Sequence, residues 1–394
     1  MAMWARSILS RERKSFTAGR DAGLALSKSP ADKPKLLLVH LTINHRQERF
    51  LEGLRSVFGH DVPIIGCSGQ GVMGRGAVYE EGYAASVLAL GGELEVVTAR
   101  IDEIAQETHA KGEQLARALR QQRHEPPRLT LLYYDPLPGA DVARLLQPLD
   151  RVLQGPVAGA AAAHFFSTVM TTTFQYFGTE VSSEAAVGVS LYGDFDAVLA
   201  YSRGVAPVGL EMTVTSSSGN FLYEFDGRPA LDVWQELTGS SGPGDAIANA
   251  ALALGVPDDE LDGGWAIRAP YVLSNAAGLM LQTPVAPGTK VAFYHRTVED
   301  VLDGTAAMAE ELKRRLQGRP LHAVIGFECG GRTAPFLGVD ATNQENCQLQ
   351  RHLSTDAAYA GLVCWGEIFP AGGKTRIHNY AFPVVALAGT RAGK

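Results

Sequence analysis

The stretch Val62 to Gly71, VPIIGCSGQG, runs from an apolar strand pattern into a glycine-rich loop, and Pro156-Val157-Ala158-Gly159 answers Pro63-Ile64-Ile65-Gly66 at an offset of 93 residues. The same offset carries Leu36 onto Leu129. There KLLLVHL (35–41) and LTLLYY (129–134) are continuous apolar runs, the pattern of strands buried on both faces. Phe50, Leu51, Leu54, Val57 and Phe58 recur at helical spacing behind the first run, and residues 140–153 form a helical segment behind the second. Tyr83 to Leu90 is answered by Ala185 to Leu191. A fixed offset across strand, helix, strand and further strand is an internal duplication. It predicts duplicated strand–helix–strand units forming mixed sheets, in an α/β or α+β fold.

A third strand, loop and helix pattern lies downstream, with strands at His322 to Phe327 and Gly361 to Phe369 and a helix over Asn343 to His352. Residues 1–33 are polar, rich in Lys and Arg, and read as a leader. A helix begins after Asp226, with Pro229 early in it, and the GSSGPG loop follows at 239–244. These signals divide the chain into a duplicated domain over 34–225 and a second domain over 226–388. Ile101 to Gln121 reads as the helix connecting the copies, Asn44 as a helix cap, and Cys347 as core packing.

With 394 residues, 46% apolar and 20% charged, the chain is long enough for two domains with their own cores. Forty-two acids against 35 bases leave a net charge of -7, which argues against nucleic acid as a partner. The longest apolar segments, near 83–90 and 156–163, are far too short to span a membrane. Four cysteines (Cys67, Cys329, Cys347, Cys364) show no metal or disulfide spacing. Together these features point to a cytoplasmic protein with reduced thiols.

The richest chemistry lies in VIGFECGGRTAPFL (324–337) and its echo GLVCWGEIFP (361–370). In the first, a strand breaks at Cys329, Gly330 and Gly331 and delivers Arg332. In the second, a strand ends at Gly366 and Glu367. A guanidinium fork at one strand end and a carboxylate at the other suit a zwitterion such as an amino acid, with the glycines allowing close approach. The competing reading is a structural salt bridge at a domain seam. Cys67 and Ser68 lie in the glycine loop of the first copy, where the second copy has Ala160 in place of the thiol. A small buried residue fits there, and a nucleophile would need a base in reach. His164, in AAAHFF (161–166), is the histidine placed to ligate a haem iron, or else a satisfied core residue.

Taken in this order, VPIIGCSGQGVM, YAASVLAL and SRGVAPVG, then RPALDVWQELTG, FECGGRTAPFLG, GLVCWGEIFPAGG and HNYAF, the motifs resemble those of FIST sensory proteins, which pair a FIST N-terminal with a FIST C-terminal domain. The resemblance spans about residues 33–385. It implies a bacterial signal-transduction module that binds small molecules such as amino acids, without enzymatic activity of its own. The family's Cys-x-x-Arg falls on Cys329 and Arg332, and its Gly-Glu on Gly366 and Glu367. Gly330-Gly331 departs from the polar residue often found in that loop, which would make the pocket roomier. No kinase, cyclase or chemoreceptor domain is attached, so a separate partner protein is expected to carry the signal. No cofactor is required by this reading. Some relatives are similar to haem-dependent nitric oxide sensors, which keeps haem at His164 as the first alternative. An enzyme acting through Cys67 or Cys329 is the second.

Overall fold

Apolar runs buried on both faces need cover on both sides, and the chain supplies it by repeating one unit three times. The computed structural model describes residues 3–27, 33–121, 123–137, 139–165, 172–261, 263–273, 276–353 and 357–390. The first unit comprises β1 (Trp4–Ser10), α1 (Ser15–Leu26), β2 (Leu36–Thr42), α2 (Gln47–Phe58), β3 (Ile64–Gly69), the hairpin β4 (Gly71–Gly74) and β5 (Ala77–Tyr79), and β6 (Ala85–Gly91). The second repeats it as β7 (Leu94–Asp102), α3 (Thr108–Arg120), β8 (Leu129–Tyr134), α4 (Val142–Leu153), β9 (Val157–Ala161), the hairpin β10 (Gln175–Phe177) and β11 (Glu180–Ser182), and β12 (Ala185–Gly193).

The third unit begins with β13 (Asp196–Ser202), and an insertion follows. The insertion holds β14 (Ala206–Ser218), β15 (Phe221–Phe225), β16 (Arg228–Pro229), α5 (Ala230–Thr238), α6 (Ala246–Asn249), β17 (Leu252–Pro257), β18 (Trp265–Arg268), β19 (Tyr271–Val272), β20 (Leu279–Met280) and β21 (Lys290–His295). Its eight-stranded sheet closes over a separate core around Phe225, Trp234 and Phe293. The unit then resumes with α7 (Val298–Leu316), β22 (Leu321–Cys329), a single 3-10 turn (Gly330–Arg332), α8 (Ala334–Leu337), α9 (Val339–Leu353), β23 (Ala358–Cys364), the hairpin β24 (Glu367–Ala371) and β25 (Lys374–His378), and β26 (Phe382–Ala388).

Each unit builds a six-stranded sheet on one plan: β1-β6-β2-β3, β7-β12-β8-β9 and β13-β26-β22-β23, each followed by a two-stranded hairpin. The hairpin always belongs to another unit. Strands β10 and β11 extend the first sheet, β24 and β25 the second, and β4 and β5 the third, so the units exchange hairpins in a ring. In every sheet the central pair is parallel and the return strand antiparallel. Register makes His40↔Cys67, Tyr133↔Ala160 and Phe327↔Leu362 equivalent pairs.

One residue earlier stand Gly66, Gly159 and Gly361. A Cβ at Gly66 or Gly159 would lie 1.8 Å from the carbonyl oxygen of Val39 or Leu132, and one at Gly361 would lie 2.3 Å from that of Gly326. The close approach of the parallel pair thus demands glycine at the same place three times.

The inner faces of the three sheets share one core, in which His40 Nε2 is 2.9 Å from the Tyr133 hydroxyl and the Phe327 ring meets Tyr133 edge-on. The pairs α1/α2, α3/α4 and α7/α9 pack against the outer faces. Thr297 caps α7 by accepting from the Asp300 amide, and Asp141 caps α4 by accepting from Ala143.

Several expectations are corrected. The segment expected as a leader contributes β1, paired with β6 from Trp4↔Gly91 to Ser10↔Ala85, and α1 packed on α2. The polar composition misled because β1 is an edge strand, half-buried along its length. Ile101 belongs to β7, which runs to Asp102, and α3 starts only at Thr108. Arg46, not Asn44, precedes the first turn of α2. Cys347 is partly exposed rather than core. Strand pairing joins the segments on either side of residue 226, since β13 pairs with β26 and β4 with β23. Among the described residues no helix is long and apolar enough to cross a membrane.

Candidate functional site

Parallel strands β22 and β23 end together at the register pair Cys329↔Cys364, and the chain then turns through Gly330–Arg332 on one side and enters β24 at Glu367 on the other. Arg332 and Glu367 are both fully buried, but they face different partners. The Arg332 Nη2 donates to Glu345 Oε1 and, at 3.0 Å, to Thr305 Oγ1; Nη1 donates to the carbonyls of Arg203 (2.9 Å) and Tyr380 (3.3 Å). Its Nε lies 3.6 Å from Glu328 Oε1. Burial, together with the nearby Glu345 carboxylate, pushes the Glu328 carboxyl well above the usual range. Both terminal nitrogens of Arg332 are thus engaged by protein groups, Nε has no hydrogen-bond partner among the described residues, and none of these bonds goes to Glu367.

Glu367 accepts from the Ala381 amide at 3.1 Å and from the Cys364 thiol at 3.5 Å. Burial raises its pKa to about 8, so its carboxyl is mostly neutral at pH 7 and lacks the fixed negative charge that an ammonium group would seek. The same desolvation pushes the thiols of Cys67, Cys329 and Cys364 up. A thiol held protonated in this way is a poor nucleophile.

The glycines of the motif make room for protein side chains. A Cβ at Gly330 would fall 2.2 Å from Gln70 Oε1, at Gly331 2.5 Å from the Tyr380 ring, and at Gly366 2.5 Å from Gln282 Oε1. Ser68 donates to the Ala163 carbonyl at 2.8 Å and accepts from the Phe174 amide at 3.0 Å, which ties two loops together. His164 is 1% exposed, edge-on to Trp365 with centroids 4.4 Å apart. Its Nδ1 is 2.8 Å from the Phe165 carbonyl and its Nε2 has no partner among the described residues. Phe166, read with it, lies outside the described residues.

An open cavity of about 620 Å³ lies beside this turn. One wall is the end of β5 with Glu80 and Glu81, from the first unit; the other is Ala334, Pro335 and the start of α9, from the third. Glu80 accepts from Gln70 Nε2, Thr333 Oγ1 and the Ala334 amide, each at 2.8 Å, while burial raises its carboxyl. Gln70 also donates to the Gly330 carbonyl at 3.1 Å and accepts from the Trp365 indole at 3.2 Å, linking the cleft to the buried strand ends. On the rim, Arg11 stacks 4.3 Å above the Tyr79 ring. No ion pair of Arg11 or Glu81 is found among the described residues. Neither belonged to any motif in the sequence; the hairpin exchange brings their segment against residues far along the chain.

Residues 35–228 match the FIST N domain and residues 230–370 the FIST C domain. The sequence matches no curated protein. Among solved structures, the chain is similar to the cyanuric acid hydrolase of A. caulinodans at 8% identity and a TM-score of 0.38, covering 99% of this chain and 100% of that one. It is also similar to T. maritima PurL complexed with ATP at 12% identity and a TM-score of 0.24, covering 98% and 71%. Neither similarity is close enough to speak for an activity.

Proposed function

Since the chain belongs to the FIST family and carries both its N and C domains, we propose that it is a small-ligand sensor whose binding site is the cleft between the β4–β5 hairpin and α8–α9. FIST domains are associated with sensory signal transduction and small-ligand binding. The observation that carries the assignment to the cleft is its pair of rim charges, Arg11 and Glu81, a cation and an anion whose chemistry matches a zwitterion. In this reading an amino acid places its carboxylate on Arg11 and its ammonium group on Glu81, with Glu80 behind. Arg332 and Glu367, the residues that the strand-end motifs suggest for these roles, are replaced by the rim pair.

The walls come from the two matched domains, so in this reading the binding energy of a ligand touching both shifts a two-state domain arrangement, and a separate cytoplasmic partner protein reads the difference. No catalytic step enters this account. Haem at His164 does not fit the described residues: the cleft is lined by Phe165 and not by His164, whose imidazole is enclosed against Trp365.

A thermal-shift panel of amino acids and small carboxylates tests the reading. At least one amino acid is expected to raise the Tm of the wild type with the logarithm of its concentration, and Arg11→Ala is expected to lose that response. The assignment fails if no member of the panel stabilises the wild type, or if Arg11→Ala responds equally.

A further inference from the structure

A different arginine keeps two adjacent side-chain donors unused. Arg296 follows β21 and is only 4% exposed. Its Nη1 donates to the Ala250 carbonyl at 2.6 Å and its amide to the Ala251 carbonyl at 3.1 Å. The guanidinium carbon lies 4.2 Å from the centre of the Phe336 ring and 3.8 Å from that of Tyr380, so the cation sits against two aromatic rings. Both rings belong to motif segments, TAPFLG and HNYAF, whose aromatic residues have no other assigned role. Nε and Nη2, although buried, have no hydrogen-bond partner among the described residues.

Ring faces stabilise a cation above and below its plane. The ring faces offer no acceptor to the N–H groups that point outward within the plane, and the Tyr380 hydroxyl, which Arg296 also contacts, leaves Nε and Nη2 without a partner among the described residues. Nε and Nη2 share one edge of the guanidinium, and that edge is the fork that meets both oxygens of a carboxylate. Leaving two donors of a buried cation unmet is unfavourable. Burial lowers the Arg296 pKa to about 10, which leaves it charged at neutral pH. Glu345 is the carboxylate that acts on it, and Glu345 is already bonded to Arg332.

We propose that Arg296 is an anion-binding residue, whose Nε/Nη2 fork, fixed by Phe336 and Tyr380, takes the carboxylate of a small molecule. The site is separate from the cleft. Helix α8 stands between them, with Ala334 and Pro335 lining the cleft and Phe336 against Arg296. It stands whether or not the cleft takes an amino acid.

The test titrates the full chain with acetate and formate against chloride at matched ionic strength and follows the Tm. Both carboxylates are expected to raise the wild-type Tm above the chloride curve, progressively with concentration. Arg296→Gln should lose the difference. Arg296→Lys, which keeps the charge without the fork, should need at least about tenfold more acetate for the same shift. Superimposed acetate and chloride curves for the wild type overturn the proposal, as does an undiminished acetate response in Arg296→Lys. Should Arg296→Gln fail to fold, Phe336→Ala serves instead, with the acetate response weakened and an unchanged response counting against the site.

Discussion

Arg332 and Arg296 are buried near one another where the insertion meets the third sheet, and their guanidinium groups are used in opposite ways. Arg332 hydrogen-bonds one carboxylate, two carbonyls and two hydroxyls of its own protein through its two terminal nitrogens, and its Nε lies 3.6 Å from Glu328 without a hydrogen bond. Arg296 is held by aromatic faces and leaves its fork unpartnered. Burial and a place in a motif are therefore poor guides to which cation meets a ligand. What separates them is the Nη2 position: on Arg332 it is bonded to Glu345 and only Nε is unmet, whereas on Arg296 both members of the Nε/Nη2 fork are unmet.

The sharpest way to break this contrast is to remove each guanidinium in the ligand-free protein. Arg332→Ala leaves Glu345 buried without its counter-charge, and urea denaturation should show a loss of about 3–5 kcal/mol. Arg296→Gln gives up one carbonyl contact and the ring stacking, so its loss should be smaller, about 1–2 kcal/mol. Equal losses would mean that both guanidinium groups are structural and the contrast is false.

A finer test concerns Glu367, the buried acid of the same seam. Its folded pKa of about 8 lies above the ordinary 4.5, so the native state retains a proton that the unfolded chain releases. Its contribution to stability is full below about pH 4.5 and declines as pH rises toward 8. Glu367→Gln removes that share of the decline. The wild type and the variant should therefore diverge in urea midpoint between pH 5 and 8, with the variant losing less; parallel pH curves would place the Glu367 pKa in the ordinary range.

Much of the fold was legible because it rests on local pattern. The runs at Leu36 and Leu129 became equivalent strands, and the third pattern at His322 to Phe369 became a third unit. The glycines at 66 and 159 flagged a backbone requirement that recurs at 361. What was not legible depends on pairing between distant segments. Val72 pairs with Leu362, and nothing near either residue announces it. The motif reading found Arg332 but not its partners: Glu328, four residues earlier, was not read as one, and Glu345 sits on α9, beyond the reach of the strand-end pattern. Arg11 was hidden in a segment whose polar composition read as a leader.

The ring of exchanged hairpins also dictates an order of events during synthesis. When the first unit leaves the ribosome, its own sheet lacks the β10–β11 edge, and its β4–β5 hairpin has no strand to join. That hairpin must wait until β23, at Ala358–Cys364, has been made. Pairings this distant in sequence close slowly, and open strand edges invite association while they wait. A nascent chain that ends before residue 358 therefore carries an unjoined hairpin, and every sheet can finish only after β23 to β26 have been made.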